Sequence, residues 1–213
     1  MRQIVCSYLK RKGITLLRGN QTEIRLSTAH FIRNVWPWRW ISRWVAERIK
    51  TRAKKVSGCS KLISGGKTIT LEPSDGNETI TKAGDVFTDW IDSDFRNYGT
   101  DVRSQKTGKI NTEVHELIKD GDYQKIFGSL SEDPKKLCFT QLQIIQFVKN
   151  HREWLGSNYW TLFLFEANGE LFVAGVYLRH LGGSLGIRMH RFSHDCVWSA
   201  EYRPRIVVPQ LTP

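Results

Sequence analysis

The sequence has no long apolar run, and this lack limits the classes of protein to which the chain can belong. No stretch approaches the roughly 18–20 apolar residues that a membrane-spanning helix requires, so we expect no transmembrane segment. The apolar patch at residues 4–6 is too short for the core of a secretory signal, so we expect no signal peptide. Long repeats and low-complexity tracts are also missing, which favours an ordinary globular protein.

Cysteines are few and scattered. The four cysteines, Cys6, Cys59, Cys138 and Cys196, include no CxxC pair. This pattern indicates free thiols in a reducing compartment, and a cytoplasmic location follows from it. No two pairs of ligand residues stand at the spacing of a structural zinc site, so we predict no metal and no cofactor.

Acidic residues are nearly missing from the first quarter of the chain. Residues 1–57 contain 14 Lys and Arg but only two acids, Glu23 and Glu47. The rest of the chain holds 18 basic and 19 acidic residues, so the formal net charge of +11 comes entirely from the first quarter. This asymmetry is typical of a polyanion-binding arm attached to a near-neutral domain. We therefore divide the chain into a basic arm, residues 1–57, and a domain, residues 58–213.

The arm is predicted to contain a small hairpin, residues 14–26, followed by a basic amphipathic helix from Pro37 to Val56. Polyanion binding needs Lys and Arg at phosphate spacing, and tryptophans beside them can stack on bases or lie at a membrane interface. The predicted nucleic-acid contacts are Arg39, Arg43, Lys50, Lys54, Lys55, Trp38, Trp40 and Trp44. A purely structural alternative packs the Trp side on the domain and leaves the basic side solvated. The arm matches no known nucleic-acid-binding motif.

The domain shows its clearest pattern after residue 138. Thr140 and Gln143 have the spacing of a capping box, which predicts a helix that begins there. We expect this helix to run to about Leu155 and to end at Gly156, a residue that readily adopts the left-handed conformation of a helix C-terminus.

A β-hairpin is expected next. Residues 160–165 and 171–177 are rich in β-branched and aromatic residues, and they flank Asn168-Gly169, the strongest short hairpin signal. Further strands are expected at residues 185–192 and 205–208. The predicted fold class is α+β: an antiparallel sheet with C-terminal hairpin strands packed against helices, preceded by a basic Trp-rich helical arm.

The segment between the arm and this helix is harder to interpret. Residues 67–72 alternate as in a short strand, and residues 97–110 are polar and predict a loop. Apolar residues at helical spacing predict a helix over residues 85–95 and short helices over residues 114–119 and 122–130.

Two groups of residues offer an alternative, enzymatic interpretation. Asp85, Asp89 and Asp92 would share one face of the helix predicted at residues 85–95, and with Asp94 and Glu116 they have the chemistry for acid–base catalysis or Mg²⁺ binding. The same pattern is also that of a solvated helix face. An enzyme would require these carboxylates to converge in one pocket.

The second group is the turn of residues 190–196. His190 and His194 are four residues apart, with Asp195 and Cys196 beside them and His180 farther away. On a helix the two histidines would share a face and could hold zinc. Here the two histidines lie where a predicted strand runs into a turn, so their spacing does not place both side chains on one face. We therefore expect surface or hydrogen-bonded histidines.

Short motifs spread over residues 58–210 resemble a family of uncharacterised bacterial proteins from metagenome-derived lineages. The matching motifs include Asp85-Val86-Phe87, residues 91–95, Val114-His115-Glu116, residues 126–130, Thr140-Gln141, residues 172–174, Val197-Trp198 and residues 202–211. The resemblance implies a self-contained domain and no particular chemistry. Members of that family usually carry His at the position of Pro204, which argues against an essential role for this residue.

The leading expectation for function is a non-catalytic binding module whose basic arm contacts DNA or RNA without strong sequence specificity. One alternative is an enzyme that uses the carboxylates of residues 85–94 or the turn of residues 190–196. Another is a module that binds a protein partner or an anionic membrane surface, with the arm as the binding helix.

Overall fold

The computed structural model describes residues 58–65, 67–157, 159–179 and 183–211. The predicted arm, with its hairpin, its amphipathic helix and all eight proposed contact residues, lies outside the described residues. The fold given below is that of the domain.

A mixed β-sheet forms the centre of the described domain, and the α+β class is confirmed. Its strands are β1 (Ser60–Leu62), β2 (Ile69–Leu71), β3 (Trp90–Ile91), β4 (Ile110–Leu117), β5 (Cys138–Phe139), β6 (Trp160–Ala167), β7 (Glu170–Leu178), β8 (Leu185–Arg191) and β9 (Arg205–Pro209). The spatial order is β1-β4-β9-β6-β7-β8-β3, with β2 also paired to β4 and β5 to β6. Three of the pairs, β6 with β9, β5 with β6 and β3 with β8, are parallel, so the prediction of an antiparallel sheet is correct only in part.

The predicted C-terminal hairpin is confirmed. Strands β6 and β7 pair from Trp160 opposite Tyr177 to Ala167 opposite Glu170. Asn168 and Gly169 connect them with φ angles of 53° and 79°, and a two-residue turn of this hand requires positive φ at both positions.

Three α-helices are described: α1 (Asp94–Asn97), α2 (Tyr123–Gly128) and α3 (Gln141–Asn150). The capping box of α3 is confirmed, because the Gln143 amide donates to Thr140 Oγ1 at 3.3 Å and the Thr140 amide donates to Gln143 Oε1 at 2.9 Å. None of the described helices has the length and apolar character needed to cross a membrane.

The predicted end of α3 is wrong. The helix ends at Asn150, and a separate 3₁₀ helix follows at Arg152–Trp154. His151 leaves the helical conformation, its ring packs 5.5 Å from that of Phe147, and its Nε2 lies 3.3 Å from the carbonyl oxygen of Thr70. The helix thus ends before Gly156, at the point where His151 makes these contacts with Phe147 and Thr70.

The predicted helices at residues 85–95 and 114–119 are also wrong. The first segment contains strand β3, which pairs with Gly186 and Ile187 of β8, and helix α1 begins only at Asp94. The second lies largely within β4, which pairs with β1 and β2 on one side and with β9 on the other. Strand pairing with distant segments overrides the local helical spacing in both cases.

The two faces of the sheet are covered by different helices. On the α3 face, buried apolar side chains such as Phe147, Phe163 and Val207 form one cluster. On the α2 face, Phe127, Leu162 and their neighbours form a second cluster. Because successive strand residues point to opposite faces, each central strand contributes to both clusters.

Candidate functional site

The four aspartates of the enzymatic interpretation do not converge. Asp85 lies 3.8 Å from the Nζ of Lys149, and both side chains are well exposed. Asp89 forms an ion pair of 2.8 Å with Nη2 of Arg179. These two carboxylates are neutralised by separate cations.

The other two aspartates have structural roles. Asp92 accepts hydrogen bonds from the amides of Met189, at 3.2 Å, and of Asp94, at 3.1 Å, and so ties the start of α1 to β8. Asp94 accepts from Asn97 Nδ2 at 3.0 Å. Glu116 lies on β4, opposite Arg205 of β9. The helical face that these carboxylates were expected to share does not exist.

The histidine turn is held by local contacts. The rings of His190 and His194 are 5.4 Å apart, edge to face, and His194 Nδ1 accepts from the amide of Cys196 at 3.0 Å. Burial lowers the pKa of His190, and the nearby His194 and Arg188 lower it further. Among the described residues, which do not include His180, no three His, Cys, Asp or Glu side chains are placed to hold a metal ion.

A cleft of about 680 Å³ opens at the end of the sheet where the β6–β7 turn meets the start of α3. Its lining comes from the loop at residues 102–107, from β5 and the first turn of α3, and from residues 166–169. Three side-chain hydrogen bonds fix this arrangement: Asn168 to the Gly99 carbonyl at 2.9 Å, Gln141 to the Thr100 carbonyl at 2.6 Å, and Gln143 to Thr107 Oγ1 at 3.1 Å.

The cleft lacks the groups of a catalytic pair among its described lining residues. Its ionisable members are Arg103, Lys136, Cys138 and Glu166. Glu166 is ion-paired with Lys135 at 2.9 Å, and burial, followed by the Glu166 charge, raises the pKa of Cys138 to about 12. A thiol with that pKa is protonated at neutral pH and is a poor nucleophile.

The feature most suggestive of binding lies at the opposite end of the sheet, on the α2 face. The strand register places Trp160 of β6 opposite Tyr177 of β7, Tyr177 opposite Gly186 of β8, and Gly186 opposite Trp90 of β3. Three aromatic side chains thus stand in one row across four strands. In the next row, Arg188 lies opposite Gly175.

Glycines make room for the tryptophan rings on this row. A Cβ atom at Gly186 would lie 2.4 Å from the indole of Trp90, and one at Gly175 would lie 3.0 Å from the indole of Trp160. Both rings therefore rest directly over backbone that carries no side chain. Glycine inside a strand often marks such a close approach.

Arg188 lies over the rings of both tryptophans. Its guanidinium carbon lies 5.6 Å from the ring centroid of Trp90 and 5.6 Å from that of Trp160, within the range of cation–π attraction. Arg188 is exposed, and no carboxylate in the described part of the chain forms an ion pair with it. We call the set Trp90, Trp160, Tyr177 and Arg188 the aromatic–arginine surface.

Two exposed tyrosines pack on each other near the start of β6. Tyr159, 40% exposed, directly precedes β6, and Tyr202, 55% exposed, lies shortly before β9. Their ring centroids are 5.9 Å apart. On the interior side, the ring of Trp160 contacts that of Trp198 at 6.2 Å, so the surface joins the buried aromatic side chains of the α2 face.

Sequence reasoning missed this surface. The alternation of β8 correctly predicts that Arg188 and His190 point away from the side occupied by Leu185, Ile187 and Met189. Trp90, however, was assigned to a helix, so its place beside Arg188 was not predicted. The strand-interior glycines, Gly175 and Gly186, are the sequence signal that could have indicated rings packed on the sheet.

Comparison with models of known protein families, with curated proteins and with solved structures finds no match to this chain.

Proposed function

We propose that this protein is a non-catalytic module that binds DNA or RNA through its basic arm, residues 1–57, without strong sequence specificity. The observation that carries the proposal is the segregation of charge: 14 Lys and Arg against two acids in the arm, and near balance in the rest of the chain. A concentrated positive segment binds nucleic acid mainly by releasing counterions from phosphates, and this contribution does not depend on base sequence.

The geometry of the domain supports binding over catalysis. The candidate carboxylates are each engaged with a separate partner, and the thiol in the cleft has a raised pKa. The proposed arm contacts remain Arg39, Arg43, Lys50, Lys54, Lys55, Trp38, Trp40 and Trp44. A cytoplasmic location, where DNA and RNA are accessible, is part of the proposal.

The test is to measure binding of the full-length protein to DNA and to RNA by fluorescence anisotropy over a range of salt concentrations. Replacing Arg39, Arg43, Lys50 and Lys54 together by Gln removes four cations from the arm. We expect affinity to fall by at least tenfold and the slope of log affinity against log salt to become shallower by about 3–4 units on duplex DNA.

The matched control removes four exposed cations from the domain, by replacing Lys61, Lys82, Lys106 and Lys119 with Gln. We expect this variant to bind as the wild type does. Undiminished affinity after deletion of residues 1–57 would refute the proposal. Binding to anionic vesicles without binding to nucleic acid would favour the membrane-surface alternative, and a stoichiometric copurifying protein would favour the protein-partner alternative.

A further inference from the structure

We infer that the aromatic–arginine surface is a stacking platform for the unpaired bases of single-stranded nucleic acid. The inference rests on the proposed function and extends it. The arm supplies attraction to phosphates on any nucleic acid, and the platform adds a preference for strands whose bases are free.

The strand register sets the extent of the aromatic row. The row Trp160, Tyr177, Gly186, Trp90 spans four neighbouring strands, and the strands of a sheet are about 4.8 Å apart. Because Gly186 and Gly175 carry no side chain, the indoles of Trp90 and Trp160 lie close against the backbone of the sheet. A sheet surface of this kind offers aromatic rings over the length of a few nucleotides, as sheet-based RNA-binding modules do.

Arg188 provides the positive charge of this surface. Its guanidinium stays exposed above two rings, and no described carboxylate neutralises it. Asp89, which precedes Trp90, is itself paired with Arg179 at 2.8 Å. A guanidinium plane stacks well on a base and also attracts the adjoining phosphate.

The charge of the chain favours one class of ligand for this surface. Aromatic rings alone would also suit a sugar or an apolar peptide. The free cation at the centre of the surface, in a chain whose net charge of +11 comes from the arm, favours a polyanion. In a duplex the base faces are already stacked, so the occupant that uses both the rings and the cation is a single strand.

The test uses the full-length protein and the variant Arg188→Met, which keeps an aliphatic side chain and removes only the guanidinium. Three fluorescent probes are compared: an oligothymidylate of about 20 nucleotides, an abasic deoxyribose-phosphate strand of the same length, and a duplex. We expect Arg188→Met to weaken oligothymidylate binding by about tenfold, which is the contribution of one stacked base. Binding to the abasic strand and to the duplex should weaken by a smaller factor, about threefold or less, because these probes lose only the attraction of the guanidinium to a phosphate.

Arg191→Met is the matched control. Arg191 is an exposed arginine of the same strand, but it is ion-paired with Glu170 at 2.9 Å and lies outside the row. Its replacement should leave all three affinities unchanged. Photocrosslinking with a halogenated oligonucleotide gives an independent readout, with crosslinks expected at Trp90, Trp160 or Tyr177.

The outcomes separate this inference from the proposed function. If the four arm substitutions weaken every probe while Arg188→Met affects none selectively, the arm proposal stands and the platform is refuted. If the arm substitutions have no effect but Arg188→Met removes a preference for oligothymidylate over the abasic strand, the platform stands and the arm proposal fails. Crosslinks confined to the arm, or an oligosaccharide that binds in an Arg188-dependent way without an effect on oligothymidylate, would refute the platform.

Discussion

The two faces of the sheet differ in how deeply their aromatic rings are buried and in which of their polar groups are paired. Beside the α3 face, the buried side chains of Gln141 and Gln143 use both amide atoms in hydrogen bonds. On the α2 face, the Tyr123 hydroxyl and the Trp198 indole nitrogen face each other without a well-aligned hydrogen bond, and Nε2 of the buried His115 lies 3.4 Å from Oε2 of Glu113.

This difference indicates which face serves as the scaffold. The α3 face is packed with fully buried aromatic rings such as Phe147 and Phe163, which suits a scaffold, although Oε1 of Gln146 on α3 has no hydrogen-bond partner among the described residues. The α2 face ends in the aromatic–arginine surface, where Trp160 is only half-buried.

The largest effect is expected from Phe163→Ala on the α3 face. Phe163 is fully buried, and its ring packs 5.9 Å from that of Phe139 and 5.3 Å from that of Phe147. We expect the free energy of unfolding to fall by about 3–5 kcal/mol, because the truncation leaves a cavity in a packed core. Urea denaturation followed by circular dichroism measures it.

The matched change on the α2 face is Trp160→Ala, on the same strand as Phe163. Trp160 is only half-buried, so its truncation should cost less than half as much, although the residue is larger. Equal losses for the two variants would contradict the assignment of the α3 face as the scaffold.

Gly186→Ala should have the next largest effect. The added Cβ would lie 2.4 Å from the indole of Trp90, so that ring must move. We expect a loss of about 1–3 kcal/mol, the usual cost of overpacking, together with a change in tryptophan fluorescence. The control is Gly128→Ala in α2, where a Cβ meets nothing within 4 Å and alanine favours the helix by about 0.5–1 kcal/mol. A Gly186→Ala protein as stable as the wild type would show that the Trp90 ring does not pack directly over Gly186.

A pH dependence is expected from His115. Burial lowers its pKa below the ordinary value of 6.5, with the Glu113 carboxylate acting in the opposite direction. Below pH 6.5 the unfolded chain binds a proton that the folded chain does not, so stability should fall as pH drops from 6.5 toward the lowered pKa. The pKa of His190 is also lowered, so His190 should likewise make the folded protein less stable as the pH drops.

His115→Leu should therefore reduce the acid-side loss of stability without abolishing it. Urea denaturation of both proteins across this pH range measures the two slopes. An unchanged slope would show that His115 does not titrate with folding.

The smallest effect is expected from Tyr123→Phe. Burial raises the pKa of Tyr123, and the indole of Trp198, which faces the hydroxyl, lowers it by a smaller amount. Because the hydroxyl has no hydrogen-bond partner in the described structure, its removal should change the free energy of unfolding by less than about 1 kcal/mol. A loss of several kcal/mol would mean that the α2 face depends on this hydroxyl for stability.

Local sequence signals predicted the parts of the fold that depend on neighbouring residues. The capping box of Thr140 and Gln143 and the turn at Asn168-Gly169 each act within a few residues, and both are confirmed. Residues 85–95 and 114–119 were misassigned because their conformation depends on distant strands, as when Trp90 pairs with Gly186.

The candidate site was less predictable than the fold, for the same reason. Trp90, Tyr177 and Arg188 become neighbours only through the register of strands β3, β7 and β8. No spacing within the sequence encodes that register directly. The separation of charge between arm and domain, by contrast, requires no structure at all.

The most direct test of the account is the salt dependence of oligothymidylate binding by the full-length protein and by the variant with Arg39, Arg43, Lys50 and Lys54 replaced by Gln. The account predicts that wild-type affinity falls steeply with salt, and that the variant binds more weakly with a slope that is shallower by about 3 units, since single strands contribute about 0.7 per phosphate contact. Equal affinities and equal slopes for the two proteins would contradict it.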